Sequence, residues 1–209
     1  MGFDRTSFDR YLATQTFGRP LHVFERLGST NTTLWDLMAQ GANPGTAVIA
    51  AQQDAGRGQW GRTWYSAFGG LYLSVAIAPH IPASQTQELT ICSAWGVTHR
   101  LRAAQIPVVL KWPNDLFLEG YKLGGILTET VIQQEQIHQA VIGIGLNWQN
   151  RVPPEGINLQ GVLDHRLEPT IHSLEMLAAL TLQGLEAGYQ RWQKEGIEAL
   201  LPDYFKWVI

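Results

Sequence analysis

Residues 108–148 read VVLKWPNDLFLEGYKLGGILTETVIQQEQIHQAVIGIGLNW, and the close spacing of their apolar runs decides the fold. Strands are predicted at 108–112, 115–120, 121–132 and 138–148. The gaps between them are too short for the crossover helix that neighbouring parallel strands require, so we expect antiparallel pairing. This part of the chain therefore predicts an antiparallel sheet.

The flanking segments add helices and further strands. Alternating or continuous apolar runs predict strands at 21–27, 46–53 and 71–79. Helical spacing of apolar residues predicts helices at 7–14, 32–41, 84–104 and 172–194, the second of them preceded by the capping candidates Ser29, Thr30 and Asn31. The order is not a regular alternation of strand and helix. It predicts an α+β fold with a mixed, largely antiparallel sheet packed by helices.

Composition narrows the class of protein. With 209 residues, 45% of them hydrophobic and 16% charged, the chain can bury one sizeable core, and we expect one domain over 1–209. A net charge of −3 supplies no basic field for DNA. The single cysteine, Cys92, excludes an internal disulfide, and no apolar run approaches the roughly 20 residues of a membrane helix. We therefore expect a cytoplasmic protein that binds neither DNA nor a membrane.

A glycine-rich loop follows the strand at 46–53. Residues 56–64 read GRGQWGRTW. Backbone N–H groups in such a turn can converge on an anion, and the guanidinium groups of Arg57 and Arg62 can grip it. The spacing matches neither the P-loop nor the Rossmann glycine pattern. The loop is predicted to cradle a phosphate or carboxylate; the alternative is a flexible surface hairpin.

A second cluster, KWPNDLFLEGYKLGG, occupies residues 111–125. It brings Lys111, Asn114, Asp115 and Lys122 to the ends of adjacent predicted strands. Cations and a carboxylate in this position suit a nucleotide and its Mg²⁺, although a Pro-Asn-Asp hairpin turn is the simpler alternative. Together the two clusters suggest activation of an acid by ATP. Fixed cations would offset the repulsion of two anions, roughly 4 kcal/mol at about 4 Å.

The two clusters resemble the catalytic domain of biotin protein ligases, also called biotin–[acetyl-CoA-carboxylase] ligases. GIGLNW at 143–148, STN at 29–31 and Gln52 before the loop extend the resemblance over roughly residues 20 to 150. It implies a fold like that of class II aminoacyl-tRNA synthetases and biotin synthetases. It also implies that biotin and MgATP react to biotinyl-5'-AMP, from which a lysine of a carboxylase's biotin carrier domain takes the biotinyl group. No tightly bound cofactor is expected.

The resemblance assigns roles residue by residue. Biotin-binding positions would be Ser29, Thr30, Asn31, Gln52, Arg57, Gly58, Gln59, Lys122, Gly124 and Gly125. Nucleotide-binding positions would be Arg57, Arg62, Trp64, Lys111, Asn114 and Asn147. Catalytic positions would be Arg57, Lys111, Asp115 and Lys122. Asp115 would serve Mg²⁺ or the incoming amine, and this choice stays open. Trp64 and Trp112 would wall the adenine or belong to the core, and Gly143 and Gly145 would admit the ligand or a packed strand.

The sequence also departs from the family pattern. Gln59 stands where many members carry arginine, so one phosphate contact is expected to be lost or replaced. The chain begins too close to the strand at 21–27 for the DNA-binding domain of bifunctional members, and it stops where most members continue into an SH3-like domain, which is therefore expected to be absent or truncated. Alternative functions are a biotin or biotinyl-AMP sensor with weak catalysis, and a lipoate or octanoate ligase. Pairing into a homodimer stays open.

Overall fold

A mixed sheet organises this protein, whose computed structural model describes residues 2–165, 168 and 170–209. The strands are β1 (Leu21–Leu27), β2 (Ala47–Gln53), β3 (Leu71–Ile77), β4 (Ile81–Pro82), β5 (Val109–Lys111), β6 (Asp115–Leu118), β7 (Tyr121–Gln133) and β8 (Gln136–Leu146). The helices are α1 (Arg5–Tyr11), α2 (Thr30–Ala39), α3 (Thr86–Ala103), α4 (Leu159–Leu163), α5 (Leu174–Glu195) and α6 (Ile197–Phe205).

The strand order is β1-β2-β3-β8-β7-β6-β5, and β4 pairs with β8 beside this path. β1 and β2 are parallel and are joined through α2. The pairs from β2 to β3 and onward through β8, β7, β6 and β5 are antiparallel. The predicted α+β fold and its largely antiparallel sheet are confirmed. Strand β4 and helices α4 and α6 were not predicted from the sequence.

Helices cover both faces of the sheet. Ile49 and Val75 belong to the main core with residues of α3 and α5, whereas their neighbours Val48 and Ala76 pack in a smaller cluster with α2. Successive strand residues point to opposite faces, so α2 lies across the sheet from α3 and α5. In the described residues, none of these helices is long and apolar enough to span a bilayer.

Two long helices of the main core approach through glycine. A Cβ added at Gly96 of α3 would lie 2.0 Å from the carbonyl oxygen of Gly184 in α5, and one at Gly188 would lie 2.1 Å from that of Cys92. No side chain fits between the two backbones at these points. Burial raises the pKa of the Cys92 thiol, which lies in this interface, to about 12, so the thiol is a packing group.

A buried carboxylate attaches the N-terminal segment to α5. Glu186 is 6% exposed and accepts backbone N–H bonds from Gln15 (2.8 Å), Thr16 (2.7 Å) and Phe17 (2.9 Å). Burial by itself raises the pKa of Glu186, but these hydrogen bonds outweigh burial, and the pKa lies below the ordinary value of 4.5. The ionised form therefore stabilises the fold.

Replacing Glu186 with glutamine is expected to lower the free energy of unfolding at pH 7 by about 2 kcal/mol, because an amide N–H₂ would face backbone donors. For a protein of this length the melting temperature should fall by about 4–8 °C. A carboxylate with a lowered pKa stabilises fully above its unfolded pKa, and that stability is lost as the pH falls through the folded pKa. The difference between wild type and variant should therefore shrink in melting curves recorded below about pH 4.

Glu175 offers the matched control. It lies on the same helix as Glu186, α5, and accepts a hydrogen bond from the backbone N–H of Asp4 at 3.0 Å in an exposed position. The Glu175→Gln change should cost under about 0.5 kcal/mol. An equal loss in both variants, or a Glu186→Gln effect independent of pH, would contradict the proposed stabilisation.

Candidate active site

A cavity of about 410 Å³ opens where the glycine-rich loop, the first turn of α2 and the strands β6, β7 and β8 converge. Its volume lies in the range of small-molecule sites. The predicted site residues that line it are Ser29, Thr30, Asn31, Arg57, Gly58, Gln59, Arg62, Trp64, Lys111, Asn114, Asp115, Lys122 and Gly125. Two motifs separated by about fifty residues in the sequence thus form one site.

One predicted residue is replaced by its neighbour. Gln52 does not line the cavity, whereas Gln53 does. The Oε1 atom of Gln53 accepts from the backbone N–H of Thr30 (2.8 Å) and lies 3.1 Å from its hydroxyl, and Nε2 donates to Ser66 Oγ (2.8 Å). Because adjacent strand residues point to opposite faces, an error of one position exchanges a site residue for one outside the site.

Gly124 and Asn147 also lie outside the cavity lining. A Cβ at Gly124 would lie 2.5 Å from the carbonyl oxygen of Gly145, so this glycine allows β7 to pack against β8. Asn147 is 5% exposed, and its Oδ1 atom accepts from Asn150 at 3.0 Å. Its Nδ2 atom lies 3.4 Å from the carbonyl oxygen of Lys122. Asn147 therefore supports the strand that carries Lys122, and its predicted contact with the nucleotide stays a prediction.

The glycine-rich loop is a small hairpin. Arg57 bridges Thr63 in antiparallel fashion, and the N–H of Gly58 donates to the carbonyl of Arg62 at 2.7 Å. A 3₁₀ turn at Gln59–Gly61 forms the tip, where Trp60 has a φ of 59° and is 89% exposed. The hairpin alternative is thus correct for the backbone, and the same hairpin supplies one wall of the cavity.

A polar network joins this hairpin to the first turn of α2. Glu129 Oε2 accepts from Arg57 Nη2 (2.9 Å) and from Asn31 Nδ2 (2.8 Å). Asn31 Oδ1 accepts from Ser74 Oγ (2.6 Å), which lies 2.7 Å from the hydroxyl of Thr30. Helix α2 begins at Thr30, and the side chains of Thr30 and Asn31 in its first turn are buried and line this wall of the cavity. Nothing in the sequence marks Glu129 or Ser74 as a site residue, because each occupies an ordinary alternating strand position.

An ion pair forms the opposite wall. Lys122 Nζ lies 2.7 Å from Asp115 Oδ1, with 29% and 23% of the two side chains exposed. The same Nζ lies 5.5 Å from the centre of the Trp64 ring. Asp115 is paired in register with Gly125, where a Cβ would lie 3.1 Å from Oδ1. The glycine leaves room for the ion pair beside the cavity.

The turn between β5 and β6 is held from both sides. Asn114 Nδ2 donates to the carbonyl of Ile126 at 2.9 Å, and the hydroxyl of Tyr204 donates to the carbonyl of Pro113 at 2.9 Å. Trp112 lines the cavity, is 46% exposed and stacks on Phe205 with ring centres 5.9 Å apart. Trp112 and the half-buried Trp64 are therefore cavity residues, and the core alternative does not apply to them.

The charges of the cavity are predominantly positive. Arg57, Arg62, Lys111 and Lys122 line it, and Asp115 is the carboxylate among the described lining residues. No cluster of three or more His, Cys, Asp or Glu suited to a metal ion occurs within the described part of the chain. A magnesium ion that arrives with nucleotide phosphates can need as few as one carboxylate from the protein, and Asp115 is the one that lines this cavity. The arrangement suits an anionic ligand.

Comparisons with known proteins agree on one family. Residues 23–147 match the model of the biotin/lipoate A/B protein ligase family. A bifunctional ligase/repressor BirA of Bacillus subtilis (strain 168) is 38% identical over 138 residues, which are 65% of this chain and 42% of the relative. A biotin–[acetyl-CoA-carboxylase] ligase of Mycobacterium tuberculosis is 30% identical over 208 residues, 96% of this chain and 75% of the relative. The chain spans less than half the length of the Bacillus relative.

The fold is that of a solved biotin protein ligase. The structure of the Aquifex aeolicus enzyme in complex with biotin and ATP superposes with a TM-score of 0.70 at 24% sequence identity, over 88% of this chain and 76% of that chain. The predicted fold class is thereby confirmed.

Proposed function

Because this chain belongs to the biotin/lipoate A/B protein ligase family, as its motifs predicted, we propose that it activates biotin with ATP and transfers it to protein. Biotinyl-5'-AMP is the intermediate, and a lysine in the biotin carrier domain of a carboxylase is the acceptor. The supporting observation is that one cavity combines a buried polar wall with four cations. The name of the Mycobacterium relative supports the same reaction. Because the proposed reaction needs ATP, we also propose that the protein acts in the cytoplasm.

The polar wall is suited to the ureido ring of biotin. Thr30 and Asn31 are 4% and 3% exposed, and with Gln53 they line the cavity with hydroxyl and amide groups. The ureido ring carries both N–H donors and a carbonyl acceptor, so it can pair with such groups. The ends of lipoate and octanoate remote from their carboxylate carry neither, so they would leave polar groups of the wall without a ligand partner, which is an effective means of rejection. This wall favours biotin over the lipoate or octanoate alternative.

The first reaction step joins two anions. An oxygen of the biotin carboxylate attacks the α-phosphorus of ATP, the bond from that phosphorus to the bridging oxygen breaks, and pyrophosphate leaves with its Mg²⁺. Arg57 and Lys122 would neutralise the carboxylate and the α-phosphate, while Arg62 and Lys111 would hold the departing phosphates. Cations fixed before the reaction stabilise charge in the transition state without reorganising.

The second step transfers the acyl group. The carrier lysine attacks the biotinyl carbonyl as a free amine, the bond from the carbonyl carbon to the phosphate oxygen breaks, AMP leaves, and the new amide nitrogen loses a proton to water. Asp115 retains two proposed roles, orienting this amine or binding Mg²⁺. Its 2.7 Å contact with Lys122 keeps it at the reacting end of the cavity in either role. The set of four cations supports a ligase over a sensor with weak catalysis.

The test is exchange of labelled pyrophosphate into ATP, with biotin, lipoate and octanoate supplied in parallel. Exchange with biotin alone is expected, followed by labelling of a purified carrier domain at its lysine. Tight biotin binding without exchange would support the sensor. Exchange with lipoate or octanoate at the rate seen with biotin would contradict the proposed specificity.

A further inference from the structure

Glu129 stands behind the cavity wall and holds two residues of that wall. Its Oε2 atom accepts from Asn31 Nδ2 (2.8 Å) and from Arg57 Nη2 (2.9 Å), yet Glu129 does not itself line the cavity. It lies within the long strand β7, paired in register with Val141 of β8, and its side chain is 25% exposed. A carboxylate on paired sheet backbone is a rigid anchor for two more mobile partners.

The two contacts complete a ring of hydrogen bonds around the polar wall. Starting from the first arginine of the hairpin, the ring runs through Arg57, Glu129, Asn31, Ser74, Thr30, Gln53, Ser66 and the carbonyl of Trp64. It therefore begins and ends in the same hairpin. Glu129 is the one member of this ring that connects Arg57 to the buried wall.

Donor and acceptor chemistry fixes the orientation of Asn31. Its Oδ1 atom accepts from Ser74, and the carboxylate of Glu129 can only accept, so Nδ2 must face Glu129. One N–H of that amide is used in this way and the other can address a ligand. Without Glu129, the amide would lose the partner that determines which way it faces.

Arg57 retains donors while it is paired. Its guanidinium has five N–H groups, and the contact with Glu129 uses Nη2 alone. A ligand carboxylate can therefore bind the remaining donors without displacing Glu129. The Arg57 side chain is 44% exposed, so an anchor is what holds it against the cavity before a ligand arrives.

We propose that Glu129 is a positioning residue that sets Asn31 and Arg57 together, so that the ureido end and the carboxylate end of one biotin are recognised by a single preorganised unit. This inference rests on the proposed function. Preorganisation improves affinity because the ordering of side chains does not have to occur during binding. The opposing idea is a latch, in which Glu129 occupies Arg57 and biotin must displace it.

The test measures biotin affinity by calorimetry without ATP. Glu129→Ala is expected to weaken binding at least tenfold, and Glu129→Gln, which keeps a carbonyl acceptor, should recover affinity to within about threefold of wild type. The matched control is Asp54→Asn, which removes a 2.7 Å ion pair with Arg26 beside the same hairpin but outside the cavity. The biotin affinity of the Asp54→Asn variant should equal that of the wild type.

Biotin methyl ester separates the two partners of Glu129. The ester keeps the ureido ring and lacks the charge that Arg57 would bind, so Glu129→Ala should weaken ester binding less than biotin binding. Melting curves of each variant are recorded to test whether it is folded. Unchanged biotin binding in folded Glu129→Ala would overturn the inference. Tighter binding would overturn it in favour of the latch. Failure of Glu129→Gln to recover affinity would also overturn it. A wild-type protein that binds no biotin would overturn the proposed function and this inference with it.

Discussion

Replacing Lys122 with alanine should lower biotin-dependent exchange of pyrophosphate into ATP by about a thousandfold. Two unit negative charges at about 4 Å repel by roughly 4 kcal/mol at an effective dielectric of about 20, and Lys122 is the cation closest to Asp115 at the proposed reacting end. The change also leaves the Asp115 carboxylate without its 2.7 Å partner, which adds a further unpaired anion beside the substrates. The rate is measured at saturating biotin and ATP.

A second variant separates these two causes. In the double variant Lys122→Ala, Asp115→Ala no unpaired carboxylate remains. An exchange rate above that of Lys122→Ala alone would show that the unpaired carboxylate contributes to the loss, whereas a lower rate would show that Asp115 itself takes part in the first step, as a Mg²⁺ ligand would. Lys194→Ala, an exposed lysine at the end of α5, is the control for loss of a positive charge. A Lys122→Ala enzyme that retains a tenth or more of the wild-type rate would contradict the assigned role.

Replacing Gly143 with alanine should weaken biotin binding by about a hundredfold, equivalent to about 3 kcal/mol. A Cβ at Gly143 would lie 2.2 Å from Asn31 Oδ1, and Asn31 is 3% exposed. Asn31 cannot retreat, because Ser74 and Glu129 hold both ends of its amide. The methyl group would therefore displace a side chain of the polar wall.

Calorimetry with biotin measures this effect, and melting curves establish that the variant is folded. Gly28→Ala is the control, because a Cβ at Gly28 meets nothing within 4 Å. Biotin affinity within fivefold of wild type in Gly143→Ala would mean that Asn31 is not a fixed part of the binding wall.

The spacing of apolar runs predicted the sheet well but gave the turn between β7 and β8 too many residues. β8 begins at Gln136, two residues before the predicted start, because the turn consists of Gln134 and Glu135, with φ values of 50° and 62°. Two-residue turns with positive φ at both positions usually contain asparagine or glycine, so this pair carried no turn signal. The helix α6 was not predicted, because Pro202 lies inside it and proline normally interrupts a helix.

The site was predictable where its residues are contiguous in sequence. Arg57 and Lys122 lie in motifs whose glycines and charges mark them together, and both line the cavity. Glu129 could not be identified in this way, since its role arises from a side chain of α2 and one of the hairpin meeting above β7. Gln53 was missed by one position, because two adjacent glutamines give no indication of which one faces the site.

The carboxylate of Glu186 has a consequence for how this protein is made. Its bonds to Gln15, Thr16 and Phe17 join residues that are 171, 170 and 169 positions apart. During synthesis on a ribosome, the N-terminal turn emerges long before α5 exists to receive it. Contacts of such long range slow folding, because chain entropy must be lost before they form. The segment from Gln15 to Phe17 cannot complete these contacts until α5 has left the exit tunnel, and the nascent chain depends on remaining soluble until then.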